Sequence, residues 1–252
     1  MAQTKFIASA LRITRIYYKG DITTGETLTL PDNASNHLVR VLRCKKSSAV
    51  TIFNGKGGEF SATLLNEDPK AASVLINNYI DTDPESPLHI TLIQGLSRSE
   101  HMDTTIQKAT ELGVTEIIPV LCERSVTIVK DRTRKKLGRW RQIVVSACEQ
   151  SSRTLLPELH EVTVFDQAIN KVTASTKLVL DPTAAAGIKN IEQNSVSICL
   201  VCGPEGGLSE QEINALSAEG FCRIKFGPRV LRTETAGPAF ISALQTLWGD
   251  MG

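Results

Sequence analysis

The spacing of hydrophobic residues changes once along the 252-residue chain, close to position 80. Before that position, short runs rich in β-branched residues alternate between apolar and polar side chains, which predicts β-strands. We expect these strands at 13–18, 26–30, 49–53, 59–65 and 72–76. One helix, 35–43, interrupts them, with Leu38, Val39 and Leu42 spaced to form a single buried face. Residues 1–80 therefore predict a small β-barrel domain with one helix.

The segment 81–87 contains two prolines and no apolar side chain, so we expect a linker there. Beyond it, apolar runs alternate with helical patterns, which predicts a mostly parallel sheet covered by helices. Strands are expected at 88–93, 116–121, 177–181, 196–202 and 222–226, and helices at 99–112, 131–151 and 233–248. A capping-box pattern at Ser209 and Glu212 begins a further helix. Residues 81–252 thus predict a second domain, of the α/β class.

Two turns rich in glycine and proline each follow an apolar strand and lead into a helix. The first is Gly203–Gly207, and the second lies within 226–236. Glycine and proline leave no bulk beside the main chain, so a ligand can approach the backbone. Two such loops at the carboxyl ends of neighbouring strands form the usual crevice for a nucleotide-like ligand in an α/β sheet.

Charge adds a weak indication of a polyanionic partner. The net charge is +1, but residues 1–80 carry ten Lys and Arg against six Asp and Glu, whereas 81–252 carry eighteen against twenty-one. Within that second part, 124–141 holds eight basic residues and one acidic residue. A basic module with a basic segment would suit a polyanion such as RNA, although charge alone favours a solvated helix face.

Cysteine and histidine give little support for a metal site. Cys199 and Cys202 have the spacing of a zinc motif, but no second pair follows, and the four histidines are dispersed. We expect several of the cysteines to be buried in apolar strands and the protein to be reduced, and we expect no metal. The amino terminus has no apolar signal core and no run reaches membrane-spanning length. These features predict a cytoplasmic protein with no membrane partner.

The common phosphate-binding and nucleophile motifs are missing. The chain has no GxxxxGK[ST] loop, no GxGxxG that opens a helix, and no GxSxG elbow. The two glycine-rich loops therefore suit a neutral or cationic adenosine ligand held by backbone groups, rather than a triphosphate.

Eight segments, in the same order along the chain, resemble the ribosomal RNA small subunit methyltransferase E family of the SPOUT superfamily. They are 36–43, 53–59, 94–103, 106–113, 149–153, 203–209, 226–236 and 249–250. Two departures are small: Phe226 replaces a usual leucine, and Gly237-Pro238 replaces residues that favour a helix more strongly. We expect Pro238 in the first helical turn, where a missing N–H is tolerated.

The resemblance implies a PUA-like RNA-binding β-barrel followed by an α/β domain with a deep trefoil knot. It also implies that S-adenosyl-L-methionine binds in a bent form within the knot and that the protein is an obligate homodimer with its active site at the subunit interface. The implied reaction is methylation of N3 of one uridine in 16S ribosomal RNA of the small ribosomal subunit.

Catalytic candidates are chosen for the chemistry of a uridine imide, whose N3 proton must leave while charge spreads onto O2 and O4. An arginine can stabilise that charge and a carboxylate can accept the proton. The catalytic candidates are Arg232, Arg124, Glu205 and Glu234. An acidic residue at a helix start is favoured by the helix dipole, which explains Glu234 as well as catalysis does. For Arg232 a functional role is favoured, because it lies in a ligand loop.

Binding residues follow from the two loops and from the basic positions of the barrel. The cofactor-binding candidates are Leu180, Gly203, Pro204, Glu205, Gly206, Gly207, Phe226, Gly227, Val230, Leu231, Arg232 and Thr233. The RNA-binding candidates are Arg12, Arg15, Arg40, Arg43, Lys45 and Lys46. Glu149 and Arg153, at i and i+4 of the long helix, either pair with each other or reach the substrate or a partner subunit.

Two other functions fit the same residues. The chain could be a non-catalytic RNA-binding ribosome-assembly factor, or a SPOUT methyltransferase that acts on ribose or on another base. The intact 203–207 and 232–235 segments argue against a decayed enzyme.

Overall fold

A computed structural model describes residues 14–125, 130–191 and 196–252 of the chain. These residues form two compact units. The first, here called the amino-terminal unit, contains the described residues up to Pro84 together with Cys148–Leu156. The second, the α/β unit, contains Glu85–Ala147 and Pro157–Gly252. The predicted division into 1–80 and 81–252 did not include the segment 148–156 in the first unit.

The amino-terminal unit is built on a five-stranded sheet. Its strands are β1 (Thr14–Tyr17), β2 (Thr27–Thr29), β3 (Ala49–Phe53), β4 (Glu59–Leu64) and β5 (Ser73–Ile80), in the spatial order β1-β3-β4-β5-β2. Neighbours are antiparallel except β1 and β3, which are parallel. Every second residue of β4 is buried, namely Phe60, Ala62 and Leu64. The predicted period-two pattern is therefore confirmed, with one face of the strand in the core.

The helix of this unit differs from the prediction. It begins at Asp32 as a short α-helix, α1 (Asp32–Asn36), and continues as a π-helical turn over His37–Val41. In that turn Leu42 N donates to His37 O, five residues back. The wider turn prevents position 42 from returning to the face of Leu38, which is fully buried, and leaves Leu42 42% exposed. The prediction of one buried face that includes Leu42 was wrong for this reason.

The α/β unit contains a seven-stranded sheet whose paired neighbours are all parallel, as predicted. The strands are β6 (His89–Gly95), β7 (Glu116–Leu121), β8 (Glu158–Leu159), β9 (Thr163–Val164), β10 (Thr176–Leu180), β11 (Ser197–Cys202) and β12 (Cys222–Ile224). Their order is β12-β10-β11-β6-β7-β8, with β9 also paired to β7. The two-residue strands β8 and β9 were not predicted. The trefoil knot stays a prediction.

Five α-helices accompany this sheet among the residues that the structure describes. They are α2 (Ser99–Glu111), α3 (Lys130–Ser151), α4 (Phe165–Ile169), α5 (Glu210–Ala218) and α6 (Thr233–Trp248), with a 3-10 turn at Ile188–Asn190. The capping box at α5 is confirmed, because Glu212 N donates to Ser209 Oγ at 3.2 Å and Ser209 N donates to Glu212 Oε2 at 2.8 Å. None of the helices in the described ranges has the length and apolar character needed to cross a bilayer.

The order of the strands corrects one expectation about the two loops. Strands β11 and β12, which the loops follow, are not neighbours, because β10 lies between them and pairs with both. All three strands are parallel, so their carboxyl ends still meet at one edge of the sheet. The end of β10 thereby becomes part of the candidate site.

Candidate active site

A cavity of about 1110 Å³ opens at the carboxyl ends of β10, β11 and β12. It lies where parallel α/β sheets usually bind ligands. Eleven of the twelve predicted cofactor residues line it: Leu180, Gly203, Pro204, Glu205, Gly207, Phe226, Gly227, Val230, Leu231, Arg232 and Thr233. The catalytic candidates Arg124 and Glu234 line it as well. The structure therefore brings together residues that are more than one hundred positions apart in the sequence.

Gly206 is the predicted residue that does not line the cavity, and Arg124 explains why it is glycine. A Cβ atom on Gly206 would lie 2.9 Å from Arg124 Cβ and 3.2 Å from Arg124 O. The guanidinium of Arg124 donates from Nη1 to the carbonyl oxygens of Gly206 and Leu208, both at 3.3 Å. Arg124 thus braces the first loop, and this contact occupies part of the guanidinium that was expected to face the substrate.

The first loop also packs tightly on Gly95, the last residue of β6. A Cβ atom on Gly95 would lie 2.6 Å from both Cδ and N of Pro204 and 2.9 Å from the carbonyl carbon of Gly203. Real Cβ atoms do not approach backbone atoms so closely, so position 95 must be glycine for the loop to lie where it does. Sequence reasoning did not assign Gly95 to the site, because its constraint comes from a contact 109 positions away along the chain.

A short chain of hydrogen bonds joins the two loops beneath the cavity. Gln94 Nε2 donates to Thr233 Oγ1 at 3.0 Å, and the Thr233 hydroxyl donates to Gly203 O at 2.8 Å. Both side chains are buried, and the second loop is thereby tied to the first. These bonds position the backbone of Gly203, which also lines the cavity.

Two carboxylates and one histidine meet at the cavity wall. Glu205 Oε1 accepts hydrogen bonds from Arg98 N at 2.9 Å and from His101 Nδ1 at 2.8 Å. Glu234 Oε2 lies 3.7 Å from the same His101 nitrogen and, although this atom is buried, it has no hydrogen-bond partner among the described residues. Burial alone would raise the pKa of Glu205, but the hydrogen bonds from the backbone and from His101 outweigh it, so the pKa of Glu205 is lowered. His101 and Arg98 were not predicted, because nothing in their local sequence indicates these partners.

Glu234 lies in the first turn of α6, whose N-cap is Arg232, so the favourable interaction with the helix dipole is available to it. Pro238 is the sixth residue of that helix, and the expectation that it would lie in the first turn was wrong. Its missing N–H leaves Glu234 O without the usual intrahelical donor. At Gly237 helix α6 lies close to the sheet, since a Cβ there would be at van der Waals contact, 3.4 Å, from Cys202 Sγ.

On the far side of the cavity, Asp181 is fixed by three donors. Thr183 N and Thr183 Oγ1 donate to Asp181 Oδ1 at 2.8 and 2.7 Å, and Arg223 Nε donates to Asp181 Oδ2 at 2.7 Å. Burial would raise the pKa of Asp181, but these bonds outweigh it and lower the pKa. The network holds the turn that follows β10. Arg223 belongs to a strand pattern and gave no signal of this role.

The second loop presents its apolar and basic side chains outward. Val230 is 80% exposed, and Arg232 is exposed without an ion pair among the described residues. Phe226 packs edge-on against Phe240 of α6, with ring centroids 5.1 Å apart. The aromatic side chain therefore fixes the base of the loop, while its tip is free to contact a ligand.

The RNA-binding candidates of the amino-terminal unit separate into buried and exposed residues. Arg15 forms an ion pair with Glu59, donates to Arg153 O at 2.9 Å and lies over the Phe53 ring, and burial lowers its pKa. Because its side chain is only 10% exposed, Arg15 is not available to a phosphate, and this expectation is corrected. The exposed candidates are Arg40, Arg43, Lys45 and Lys46. Arg12 lies outside the described residues.

The i, i+4 relationship expected for Glu149 and Arg153 does not hold. Helix α3 ends at Ser151, and Ser152 has a φ of 66°, so Arg153 follows the helix rather than sharing its face. Glu149 Oε1 accepts from Tyr17 N at 2.9 Å, and burial raises the pKa of Glu149. Both residues belong to the amino-terminal unit.

The cysteines of the CxxC spacing lie in the core. Cys199 and Cys202 are buried in β11, and burial raises the pKa of Cys199 to about 12. Among the described residues, one group has ligand atoms close enough together for a metal ion: Glu116, Glu158 and His160, with Glu158 73% exposed. It lies at the amino ends of the strands, away from the cavity described above.

Comparison with known proteins identifies the family. Residues 84–245 match the family model of an RNA methyltransferase domain, and residues 30–77 match that of an RNA methyltransferase PUA domain. The ribosomal RNA small subunit methyltransferase E of Buchnera aphidicola is 34% identical over 242 residues, with 95% of each chain covered, and that of Bacillus subtilis is 29% identical, with 90% and 92% covered.

Two solved structures are similar over their whole length. A methyltransferase of Legionella pneumophila in complex with the bound cofactor SAM has a TM-score of 0.92 and 38% identity, and covers 95% of this chain and 100% of its own. The ribosomal RNA small subunit methyltransferase E of Neisseria gonorrhoeae, bound to S-adenosyl methionine, has a TM-score of 0.89 and 41% identity with the same coverage. This chain therefore belongs to the ribosomal RNA small subunit methyltransferase E family.

Proposed function

We propose that this protein transfers a methyl group from S-adenosylmethionine to N3 of a uridine in 16S ribosomal RNA. The observation that carries the proposal is the cavity between the two glycine-rich loops, in a chain whose relatives of known structure bind S-adenosylmethionine. S-adenosylmethionine supplies a methyl group already activated by a sulfonium charge. The protein must then bind that group, orient the base and remove one proton.

The cavity fits such a cofactor by size and by chemistry. About 1110 Å³ exceeds the usual size of a small-molecule site and leaves room for a base beside the cofactor. Leu180, Phe226 and Leu231 offer apolar surface for an adenine ring, and the loop glycines offer backbone donors and acceptors. Glu205 and Glu234 place negative charge near a cationic ligand.

Glu234 is our candidate for the proton acceptor. Glu234 lines the cavity, its side chain is 16% exposed, and its Oε2 atom has no donor among the described residues, so this carboxylate can accept a hydrogen bond from an imide N–H. The imide proton passes to Glu234 Oε2, and the electron pair left on N3 forms the new bond to the methyl carbon while the old bonding pair stays on sulfur. Negative charge that spreads onto O2 and O4 during this step is stabilised by Arg232, whose guanidinium is exposed and unpaired within the described chain.

The amino-terminal unit supplies the RNA contacts in this proposal. Arg40, Arg43, Lys45 and Lys46 form an exposed basic segment within the region that matches a PUA domain, although Lys45 already pairs with Glu67 at 3.1 Å. Such a segment neutralises phosphates and orients the RNA without reading its sequence. We further propose that the protein acts in the cytoplasm as a homodimer; exposed Leu247 and Met251 near the carboxyl terminus supply apolar surface for a second copy.

Methyl transfer to ribosomal subunits tests the proposal directly. Small subunits from a strain that lacks this protein are incubated with purified protein and S-adenosylmethionine, and the modified nucleotide is mapped by mass spectrometry. We expect one new N3-methyluridine with the wild type. Arg232→Ala should reduce transfer by roughly 10²-fold or more with calorimetric cofactor binding retained, and Arg232→Lys should recover part of it.

Each alternative has its own outcome in the same experiment. Absence of cofactor binding in calorimetry would favour a non-catalytic ribosome-assembly factor. A methyl group on ribose or on another base would support a methyltransferase activity but reject uridine N3 as its target. Full activity of Arg232→Ala would remove Arg232 from the mechanism.

A further inference from the structure

His101 stands between two carboxylates that come from different loops. It lies in the first turn of α2, directly after β6, and its Nδ1 atom is 2.8 Å from Glu205 Oε1 and 3.7 Å from Glu234 Oε2. Glu205 belongs to the loop after β11, and Glu234 belongs to the first turn of α6. The side chains are 24%, 32% and 16% exposed, so all three are partly shielded from water. One imidazole therefore connects three segments of the cavity wall.

The two carboxylates are not equivalent. Glu205 has its hydrogen bonds made, since its Oε1 accepts from both Arg98 N and His101 Nδ1. Glu234 Oε2 is buried and has no donor in the part of the chain that the structure describes, and its 3.7 Å distance from His101 Nδ1 is too long for a hydrogen bond. A buried acceptor without a donor is costly, and a catalytic role is one of the explanations for such a group in a native protein. The missing donor of Glu234 is therefore expected from a bound ligand.

The contact between Glu205 and His101 fixes the ring. The Nδ1–H group of His101 donates to Glu205, and this bond fixes the orientation of the imidazole ring next to Glu234. Two carboxylates placed around one nitrogen repel each other in a partly dry cavity. A donor between them offsets this repulsion and keeps the Glu234 side chain in the cavity wall.

We propose that His101 is a positioning residue, which is anchored by Glu205 and holds Glu234 ready to accept a proton from the RNA base. This inference rests on the proposed function, because it assigns the acceptor in that reaction. No bond to His101 forms or breaks: the imide proton moves to Glu234 Oε2, and His101 keeps its proton toward Glu205. The histidine acts by orientation and field rather than by proton transfer.

A pair of variants separates positioning from simple packing. His101→Asn retains an N–H donor near the place of Nδ1, whereas His101→Leu keeps a similar size and has no donor. Single-turnover methyl transfer is measured with saturating RNA and cofactor, and the cofactor Kd is measured by calorimetry. We expect His101→Leu to lose about 10- to 100-fold in rate with less than about 3-fold change in Kd, and His101→Asn to stay within about 5-fold of the wild type.

Two further measurements distinguish the proposed role from a general effect of mutating this helix. Thr104→Ala, an exposed change on the same helix, should leave rate and melting temperature unchanged. In a Glu205→Gln background the added cost of His101→Leu should be small, because the anchor is already weakened. If His101→Leu misfolds, His101→Asn, whose rate should stay within about 5-fold of the wild type, still tests the inference.

The outcomes distinguish this inference from the proposed function. An inactive wild type would reject the proposed function itself. An active wild type with an equally active His101→Leu variant would reject only the positioning role. The same rejection follows if the Asn and Leu variants are equally slow, or if His101→Leu loses cofactor affinity but not rate.

Discussion

Thr233 Oγ1 accepts a hydrogen bond from Gln94 Nε2 at 3.0 Å and donates one to Gly203 O at 2.8 Å. One hydroxyl group thereby joins the end of β6, the loop after β11 and the start of α6. The Gln94 and Thr233 side chains are buried, and a lost hydrogen bond is costly in such surroundings. The spacing of the two loops depends on this atom.

Thr233→Val should therefore weaken the cofactor site. Valine has nearly the same shape but removes the hydroxyl, so that Gln94 Nε2 keeps only its bonds to Gly95 O at 3.1 Å and to Gly203 O at 3.4 Å. The loss should cost about 1 kcal/mol of unfolding free energy. We expect the cofactor Kd to rise about tenfold, measured by calorimetry. Thr233→Ser, which keeps the hydroxyl, is the matched control and should bind within about 3-fold of the wild type. Equal affinities for Val and Ser would show that the hydroxyl does not position the loops.

Gly95→Ala should disrupt the same site for a steric reason. The added Cβ would lie 2.6 Å from Pro204 N, so the first loop or β6 must move. We expect cofactor binding to fall by at least tenfold and the melting temperature to drop by several degrees. Gly138→Ala, in α3 with no atom within 4 Å of its added Cβ, should be neutral or slightly stabilising. Normal binding by Gly95→Ala would contradict the close packing of Pro204.

The Asp181–Arg223 pair predicts a dependence of stability on pH. The pKa of Asp181 is lowered in the folded state, so its contribution is fully present above the ordinary aspartate pKa of 3.8 and is lost as pH falls through the lowered value. Asp181→Asn should cost about 1–2 kcal/mol at pH 7, because Arg223 is partly exposed and the pair is partly screened. Urea unfolding at pH 7 and near pH 3.5 measures this cost, which should shrink at the lower pH. A cost that stays constant would mean that charge is not involved.

The exposed arginines of the amino-terminal unit predict the salt dependence of RNA binding. Replacing Arg40 and Arg43 by alanine removes two exposed cations. Each of them could neutralise a phosphate and so release the counterions bound to the RNA. The slope of log K against log salt should decrease in magnitude by roughly 1.5, with weaker binding to all RNA sequences. Lys70→Ala, an exposed change outside the basic segment, is the control and should leave the slope unaltered. An unchanged slope in the double variant would place the RNA elsewhere.

Local sequence patterns predicted much of the α/β unit, because the signals act within a few residues. The capping box at Ser209, the helix end before Gly113 and the span of α6 are set by neighbouring groups, and each agrees with the structure. The strand β11 was predicted from its run of aliphatic and cysteine residues, and the structure buries five of its six residues. These features need no knowledge of the rest of the chain.

The parts that sequence reasoning missed depend on contacts between distant segments. Gly95 is constrained by Pro204, and His101 gains its partners only when β6 and β11 lie side by side. The π-helical turn at His37 changes the helix period inside an ordinary helical pattern, so Leu42 was assigned to the wrong face. Arg15 was chosen for its charge, but its partner Glu59 lies 44 positions away and removes it from the surface.

The return of 148–156 to the first unit limits how this protein can be divided or recombined. A gene fragment that stops at Pro84 would lack the carbonyl of Arg153 that Arg15 binds and the carboxylate of Glu149 that Tyr17 binds. Cutting at the proline-rich stretch would thus leave an incomplete half with exposed core groups. Transfer of the amino-terminal unit to another protein must therefore include the nine residues 148–156, so we expect the two units to be inherited together rather than exchanged as separate modules.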